Sequence, residues 1–307
     1  MADPTVTLPV EVWARVFSHL EPTPGDPQYD LYTTAVKAQA SLWQLPLVCT
    51  TFRTVFKTHP KLGHKVFLPK GEKQKYPSST LTASLVGWLK AWAEVIQSFE
   101  LHCWSVDLHQ YLRALSHPST TMTHIVVKPR GSAEACLLSS FTALTSCCLR
   151  SAYKGKYGSL DLTPLQGLCS LTKLTLQNGR FSNLSAASHL TELDLGYATV
   201  TSASSCALVS CLVKIRTHGS SVDKLHEKGL LACTALQSFR ILDTCEFLAA
   251  EVADCFTICS SFPDAFVPAN FSSLVCLTEL SLSAQFSEWA VDLRSIGTIP
   301  NLEILIH

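Results

Sequence analysis

Four residues within one short stretch, His102, Cys103, Asp107 and His109, are the nearest approach to a metal-binding cluster in this sequence. Imidazole, thiolate and carboxylate are all zinc ligands, but this spacing matches no closed structural zinc site. A polar strand exit is the expectation, and no metal. Thirteen cysteines suggest a second chemistry, attack by a thiolate. Such a nucleophile needs a base or a cationic neighbour to lower its pKa, and no histidine partner is recognisable. Cys147 falls on an apolar position of a recurring frame and is expected to be a small buried hydrophobe. Cys206, Cys233 and Cys276 lie beside leucines and should behave the same way. Cys148, one step out of phase, is expected to face outward as the most exposed thiol of this set. A GxSxG elbow, a phosphate loop and an HExxH helix are all absent. The chain is therefore expected to carry no catalytic residue and no cofactor, and to act by binding.

Charged residues that could do the binding recur with a fixed phase. The frame apolar-x-x-apolar-x-apolar occurs nine times, from Ile96/Phe99/Leu101 through Leu171/Leu174/Leu176 and Leu190/Leu193/Leu195 to a less clean Leu302/Leu305. Start-to-start intervals run from 19 to 27 residues, apart from one of 41. Most lie inside or close to the period of roughly 20–29 residues found in leucine-rich repeats. Each frame is expected to form one strand of a parallel sheet, because a single repeat cannot bury its apolar side without a stacked neighbour. Alternation along the strand sends Leu174 and Leu176 into the core and Lys173, Thr175 and Gln177 onto the concave face. On that face Glu192 and Asp194 should lie beside Lys214 and Arg216, with Arg240 one strand further. Lys173, Glu192, Asp194, Lys214, Arg216 and Arg240 are the target-binding candidates. Partial mutual pairing is expected, with Arg216 and Arg240 as recognition residues, since arginine is enriched in interfaces. In the long interval, Leu248, Val252, Phe256 and Cys259 keep helical spacing, which predicts a longer convex helix.

The elements that must position these residues fit a chain of 307 residues, enough for two domains. It is 47% apolar and only 16% charged, with 24 basic and 24 acidic residues. No global field draws it to nucleic acid or to an anionic membrane, so electrostatic selectivity must be local. Met1-Ala2-Asp3-Pro4 lacks the basic and apolar regions of a signal peptide, and no apolar run reaches the ~18 residues of a membrane span. The expected setting is intracellular and reducing, cytoplasm or nucleus.

Before the repeats come two apolar helical segments. In Leu8-Pro9-Val10-Glu11-Val12-Trp13-Ala14-Arg15-Val16-Phe17-Ser18-His19-Leu20 the apolar residues form one stripe, and Pro9 suits the first helical turn. Three prolines and a glycine between Pro22 and Pro27 end that helix. Pro46 can open the second segment, Leu45 to Arg53, which carries Leu-Val-Cys followed by Phe52 and Arg53. These ordered landmarks resemble an F-box, and with the repeats the chain resembles F-box proteins carrying leucine-rich repeats. The resemblance implies a substrate-recognition subunit of a Skp-cullin-F-box ubiquitin ligase, with no bond chemistry of its own. It would dock a Skp-family adaptor of the cullin complex through Leu8, Pro9, Val12, Phe17 and Leu20 of the first segment and Leu45, Val48, Cys49 and Phe52 of the second. Its target would be an unknown protein. The other reading of the residues is a leucine-rich-repeat interaction scaffold whose N-terminal helices only cap the repeats. The expected fold class is α/β: an F-box-like helical bundle over 1–68, a lysine-rich linker over 69–80, and a leucine-rich-repeat solenoid with a curved parallel sheet over 81–307. The last frame runs to the end of the chain, so the solenoid is expected to be incomplete there.

Overall fold

One six-residue phrase, plainest in Leu171-Thr172-Lys173-Leu174-Thr175-Leu176, accounts for most of the regular structure. The computed structural model describes residues 54–55, 65–68, 79–101, 108–116, 121–150, 159–196, 198–200, 211–218, 235–242, 276–282 and 302–306. They fall into two compact units, Met1–Lys128 and Pro129–His307.

The first unit contains β1 (Lys65–Leu68), α1 (Ser79–Trp92), β2 (Ser98–Leu101), α2 (Leu108–Leu115) and β3 (His124–Val127). The strands are parallel, with Lys65 opposite Ser98 and Ser98 opposite His124. On α2 the apolar stripe Leu108, Tyr111, Leu112 and Leu115 is buried throughout, the i, i+3, i+4, i+7 pattern of a helix laid on a core. On α1, Trp88 and Trp92 stack with ring centroids 6.3 Å apart, and Trp92 is buried. The carbonyl of Trp92 accepts the amides of Val95 and Ile96, which turns the chain from helix into strand β2.

Strand β1 corrects the sequence expectation for its residues. Lys65–Leu68 was predicted inside the helical domain 1–68, yet it pairs with β2 as a member of the sheet. The register explains the miss. Gly63 stands one repeat before Ile96, so the frame containing Val66 and Leu68 lacks its first apolar member.

The second unit contains α3 (Ser132–Cys136) and ten strands: β4 (Ser146–Arg150), β5 (Leu160–Asp161), β6 (Lys173–Gln177), β7 (Arg180–Ser182), β8 (Glu192–Gly196), β9 (Thr199–Val200), β10 (Lys214–His218), β11 (Ser238–Leu242), β12 (Glu279–Leu282) and β13 (Glu303–Ile306). Seven form a parallel sheet in the order β4-β6-β8-β10-β11-β12-β13. A smaller parallel sheet, β5-β7-β9, pairs Leu160 with Phe181 and Arg180 with Thr199. Turns of 3-10 helix follow β5 and β7, at Thr163–Gly167 and Leu184–Ala186.

The core lies where alternation puts it. Cys147, Leu149, Leu174, Leu176, Leu193, Leu195, Ile215, Phe239 and Leu280 are none more than 2% exposed. Burying side chains of this size contributes about 1.5–3 kcal/mol each, and only stacking repeats makes that burial complete. Register is held at the strand entrances. The carbonyl of Thr145 accepts both the Thr172 and Lys173 amides at 3.0 Å, and the same double acceptance recurs at Thr172, Thr191, Val213 and Gln237. Threonine hydroxyls reinforce it: Thr172 donates to the Thr145 carbonyl, Thr191 to that of Thr172, and Thr278 to that of Gln237, at 3.1–3.3 Å. The Leu-Thr pair that opens so many frames thus has two tasks, a core leucine and a hydroxyl tied to the preceding repeat.

One short parallel strand per repeat, a leucine-lined core on one side and a polar row on the other define a leucine-rich-repeat fold. The predicted helix around Leu248 to Cys259 lies outside the described residues, as do residues 1–53 of the predicted N-terminal helical bundle.

Candidate protein-interaction face

Residues that alternate with the buried leucines build one polar face. Lys173, Glu192, Lys214, Ser238 and Glu279 are successive register partners across β6, β8, β10, β11 and β12. One step along, Thr175, Asp194, Arg216, Arg240 and Ser281 form a second row. All six target-binding candidates therefore share this face, in the neighbourhood that alternation predicted.

Pairing on the face is uneven. Lys173 Nζ lies 3.5 Å from Glu192 Oε2, with both side chains more than 40% exposed, so solvent leaves this contact little energy. The more enclosed pair is diagonal: Arg240 Nη2 bonds Glu279 Oε1, while Ser238 Oγ donates to Glu279 Oε2 at 2.9 Å. Burial pushes the Glu279 carboxyl upward. The Ser238 and Arg240 hydrogen bonds and the charges of Arg240 and Lys214 outweigh it and hold the carboxyl below its ordinary value. Arg240 was expected to serve recognition together with Arg216, and its tie to Glu279 is a partner that alternation did not reveal.

Arg216 is different. It stands between Asp194 and Arg240 in the register, half-buried, and its Nε is enclosed without a hydrogen-bond partner. Among the described residues it makes no ion pair. In the first unit the corresponding face carries one carboxylate between two bases: Lys65 Nζ lies 2.7 Å and His124 Nε2 3.8 Å from Glu100 Oε1. Lys65 was absent from the expected face because β1 was not recognised as a strand.

A second polar cluster sits on the smaller sheet. Asp161 Oδ1 accepts the Thr163 amide at 2.9 Å, the Thr163 hydroxyl at 2.7 Å and the Asn183 side-chain amide at 2.9 Å. The Thr163 amide first, then the Thr163 hydroxyl and Asn183, hold this carboxyl below its ordinary value against slight burial. Asn183 adopts a left-handed backbone with φ of 58°, a conformation asparagine tolerates better than most residues. This cluster lies outside the repeat frame from which the candidate residues were expected. Its available signal was Asp-x-Thr before a turn, the pattern of a side chain that caps its own backbone.

Thiols sort by geometry. Cys147 is buried, and burial first, then the adjacent Cys148, push its thiol well above the ordinary value, which suppresses the thiolate. Cys148 is also buried, contrary to expectation, although alternation places it opposite Thr175 on the polar face. A side chain this short does not project past its neighbours on a crowded sheet. Cys276, expected to be buried, is exposed, because it occupies the turn before Leu277 rather than a frame position. Cys206 and Cys233 lie outside the described residues.

Of the suggested metal cluster only His109 is described, exposed on α2. Among the described residues no group of three His, Cys, Asp or Glu side chains could hold a metal ion. Among them too, no helix is long and apolar enough to cross a membrane. The nine expected adaptor-docking positions from Leu8 to Phe52 all lie outside the described residues. Just beyond them, Thr54 and Val55 are helical and Val55 is fully buried.

No protein-family model matches this sequence, and no curated protein matches it either. Solved structures with some likeness include an internalin C2 from Listeria monocytogenes, 15% identical, with a TM-score of 0.47 over 76% of this chain and 94% of that one. A second internalin (inlF) from the same organism is 15% identical, with a TM-score of 0.33 over 78% of this chain and 93% of that one.

Proposed function

We propose that the chain is a non-catalytic recognition subunit that holds a protein partner on the polar face of its repeats. The observation that carries this reading is the pair of in-register rows across β6 to β12, where charged and small polar side chains alternate with a closed apolar core. A rigid parallel sheet fixes the spacing of such groups, so they can match a partner without ordering themselves at the moment of binding.

In the finer form of this proposal, the F-box-like segment docks a Skp-family adaptor, and the subunit brings its target to a cullin-type ubiquitin ligase. The ordered landmarks from Leu8-Pro9 to Phe52-Arg53 support it. The contribution to catalysis would be proximity alone, raising the effective concentration of a target lysine near the charged enzyme. A reducing intracellular compartment, cytoplasm or nucleus, suits a chain with so many cysteines.

Co-expression of the full chain with a Skp-family adaptor, followed by size-exclusion chromatography, tests the ligase arm. A stable complex lost in Leu8→Asp and Phe17→Asp is the expected result. No complex, or one indifferent to both substitutions, leaves an interaction scaffold without a ubiquitin role. The face itself is tested by Thr175→Trp, which places bulk at the β6 end of the row that holds Asp194, Arg216 and Arg240 and should abolish capture of the target while the adaptor complex persists.

A further inference from the structure

The centre of the polar face carries an unbalanced charge. With Glu192 set aside beside its Lys173 partner, strands β8, β10, β11 and β12 present three cations, Lys214, Arg216 and Arg240, against two carboxylates, Asp194 and Glu279. One positive charge is in surplus. Two of the cations are like-charged neighbours, since Arg216 is the register partner of Arg240 and adjacent strands lie about 4.8 Å apart. Glu279 pairs with Arg240 and also feels the charge of Lys214, but forms no ion pair with Arg216. The Nε atoms of both arginines are enclosed with no hydrogen-bond partner, and a guanidinium has no acceptor or alternative protonation state with which to relieve that. The enclosed Nε atoms mark both guanidinium groups as partly desolvated, and their mutual like-charge repulsion is a cost that the free protein carries and an anion bound against them lowers.

We propose that Arg216, with Arg240 beside it, is the anchor for a carboxylate side chain from an acidic segment of the protein partner. The inference rests on the face being the interaction surface and adds the chemistry of what it holds. A carboxylate suits the site in charge and in shape. Its single negative charge matches the single surplus, and its two oxygens fit the guanidinium fork. A dianionic phosphate would overshoot the surplus, close to Asp194 and Glu279. Arginine in a partly enclosed central position is also the residue type on which interface energy concentrates.

Fluorescence anisotropy at low salt with the full chain and a labelled Glu-Gly repeat peptide provides the test, with the Gln-Gly peptide as control. The Glu peptide should bind and the Gln peptide should not. Arg216→Gln should weaken binding about tenfold, the weight of one charge-assisted hydrogen bond, and Arg216→Lys by less. Arg180→Gln, at an exposed site on β7, should change nothing. Equal affinity of Arg216→Gln and the natural protein overturns the proposal, as does an equal loss in Arg180→Gln. Displacement of the peptide by inorganic phosphate at lower concentration than by acetate overturns the choice of carboxylate. Thr175→Trp separates the two readings. If it abolishes peptide binding while Arg216→Gln does not, the face stands and the anchor falls; if neither matters, both fall.

Discussion

Asp161 and Arg216 belong to the same stack of repeats, yet one is surrounded by partners and the other faces its neighbours without any. The carboxylate of Asp161 accepts three hydrogen bonds from Thr163 and Asn183 and ties one repeat's turn to the next. Arg216, between Asp194 and Arg240, forms no hydrogen bond or ion pair among the described residues. The difference follows from backbone geometry. A turn can fold back so that its own amide and a neighbouring side chain converge on one oxygen, whereas strands hold successive side chains apart at a fixed spacing. Charges in turns are therefore readily satisfied from within, and charges on a sheet face depend on what lies across the ladder or in solution.

The largest loss is expected in the apolar layer beneath the face. Phe239 is fully buried on β11, next in sequence to Arg240, and Phe239→Ala should cost about 3–5 kcal/mol in urea denaturation. A loss much below that range would mean that the repeats do not share one cooperative core. Asp161→Ala comes next, at about 1 kcal/mol, the usual loss when a capping oxygen is removed from a turn. A null result would place Asp161 with Arg216 rather than against it, as a charge whose contacts contribute nothing net.

Acid sharpens the same contrast. The folded Asp161 carboxyl is held below its ordinary value of 3.8, so the unfolded chain takes up the proton first. Its stabilisation is complete above that value and is lost as pH falls through the depressed folded value. Thermal melts from neutral pH to about pH 3 should therefore be flatter for Asp161→Asn, which cannot titrate there. Glu279, lowered in the same direction by Ser238, Arg240 and Lys214 against its burial, leaves a residual slope in that variant. If Asp161→Asn follows the natural protein's curve throughout, its hydrogen bonds are not differentially strong in the ionised form.

The rows on the face were legible in the sequence because alternation is a local property of an extended chain. Leu174 and Leu176 point one way and Lys173, Thr175 and Gln177 the other in any strand, and a parallel frame repeats that choice. What lay hidden depended on neighbours. Gly63 removed one apolar residue from a frame, and strand β1 with its Lys65–Glu100 pair went unseen. Cys148 kept its predicted side of the sheet but not its exposure, since depth is set by surrounding side chains rather than by phase. The Arg240–Glu279 contact runs diagonally, so register alone could not assign it. The F-box-like segment, legible as ordered landmarks and proposed to dock an adaptor, lies outside the described residues.

The smallest expected effect is the most discriminating. Arg216→Gln should change folding stability by no more than about 0.5 kcal/mol, because the guanidinium has no described hydrogen bond or ion pair to lose. Some loss comes from shortening the aliphatic stem on a half-buried site, and some gain from removing an enclosed donor beside Arg240. These oppose each other, so the melting temperature should hardly move while affinity for an acidic peptide falls. A structural arginine would behave in the reverse manner, losing stability by the weight of its ion pair with binding changed only in proportion to unfolding. Melts and peptide titrations on the same preparation therefore decide whether the unpartnered charge is a defect of the sheet or the feature for which the face is kept.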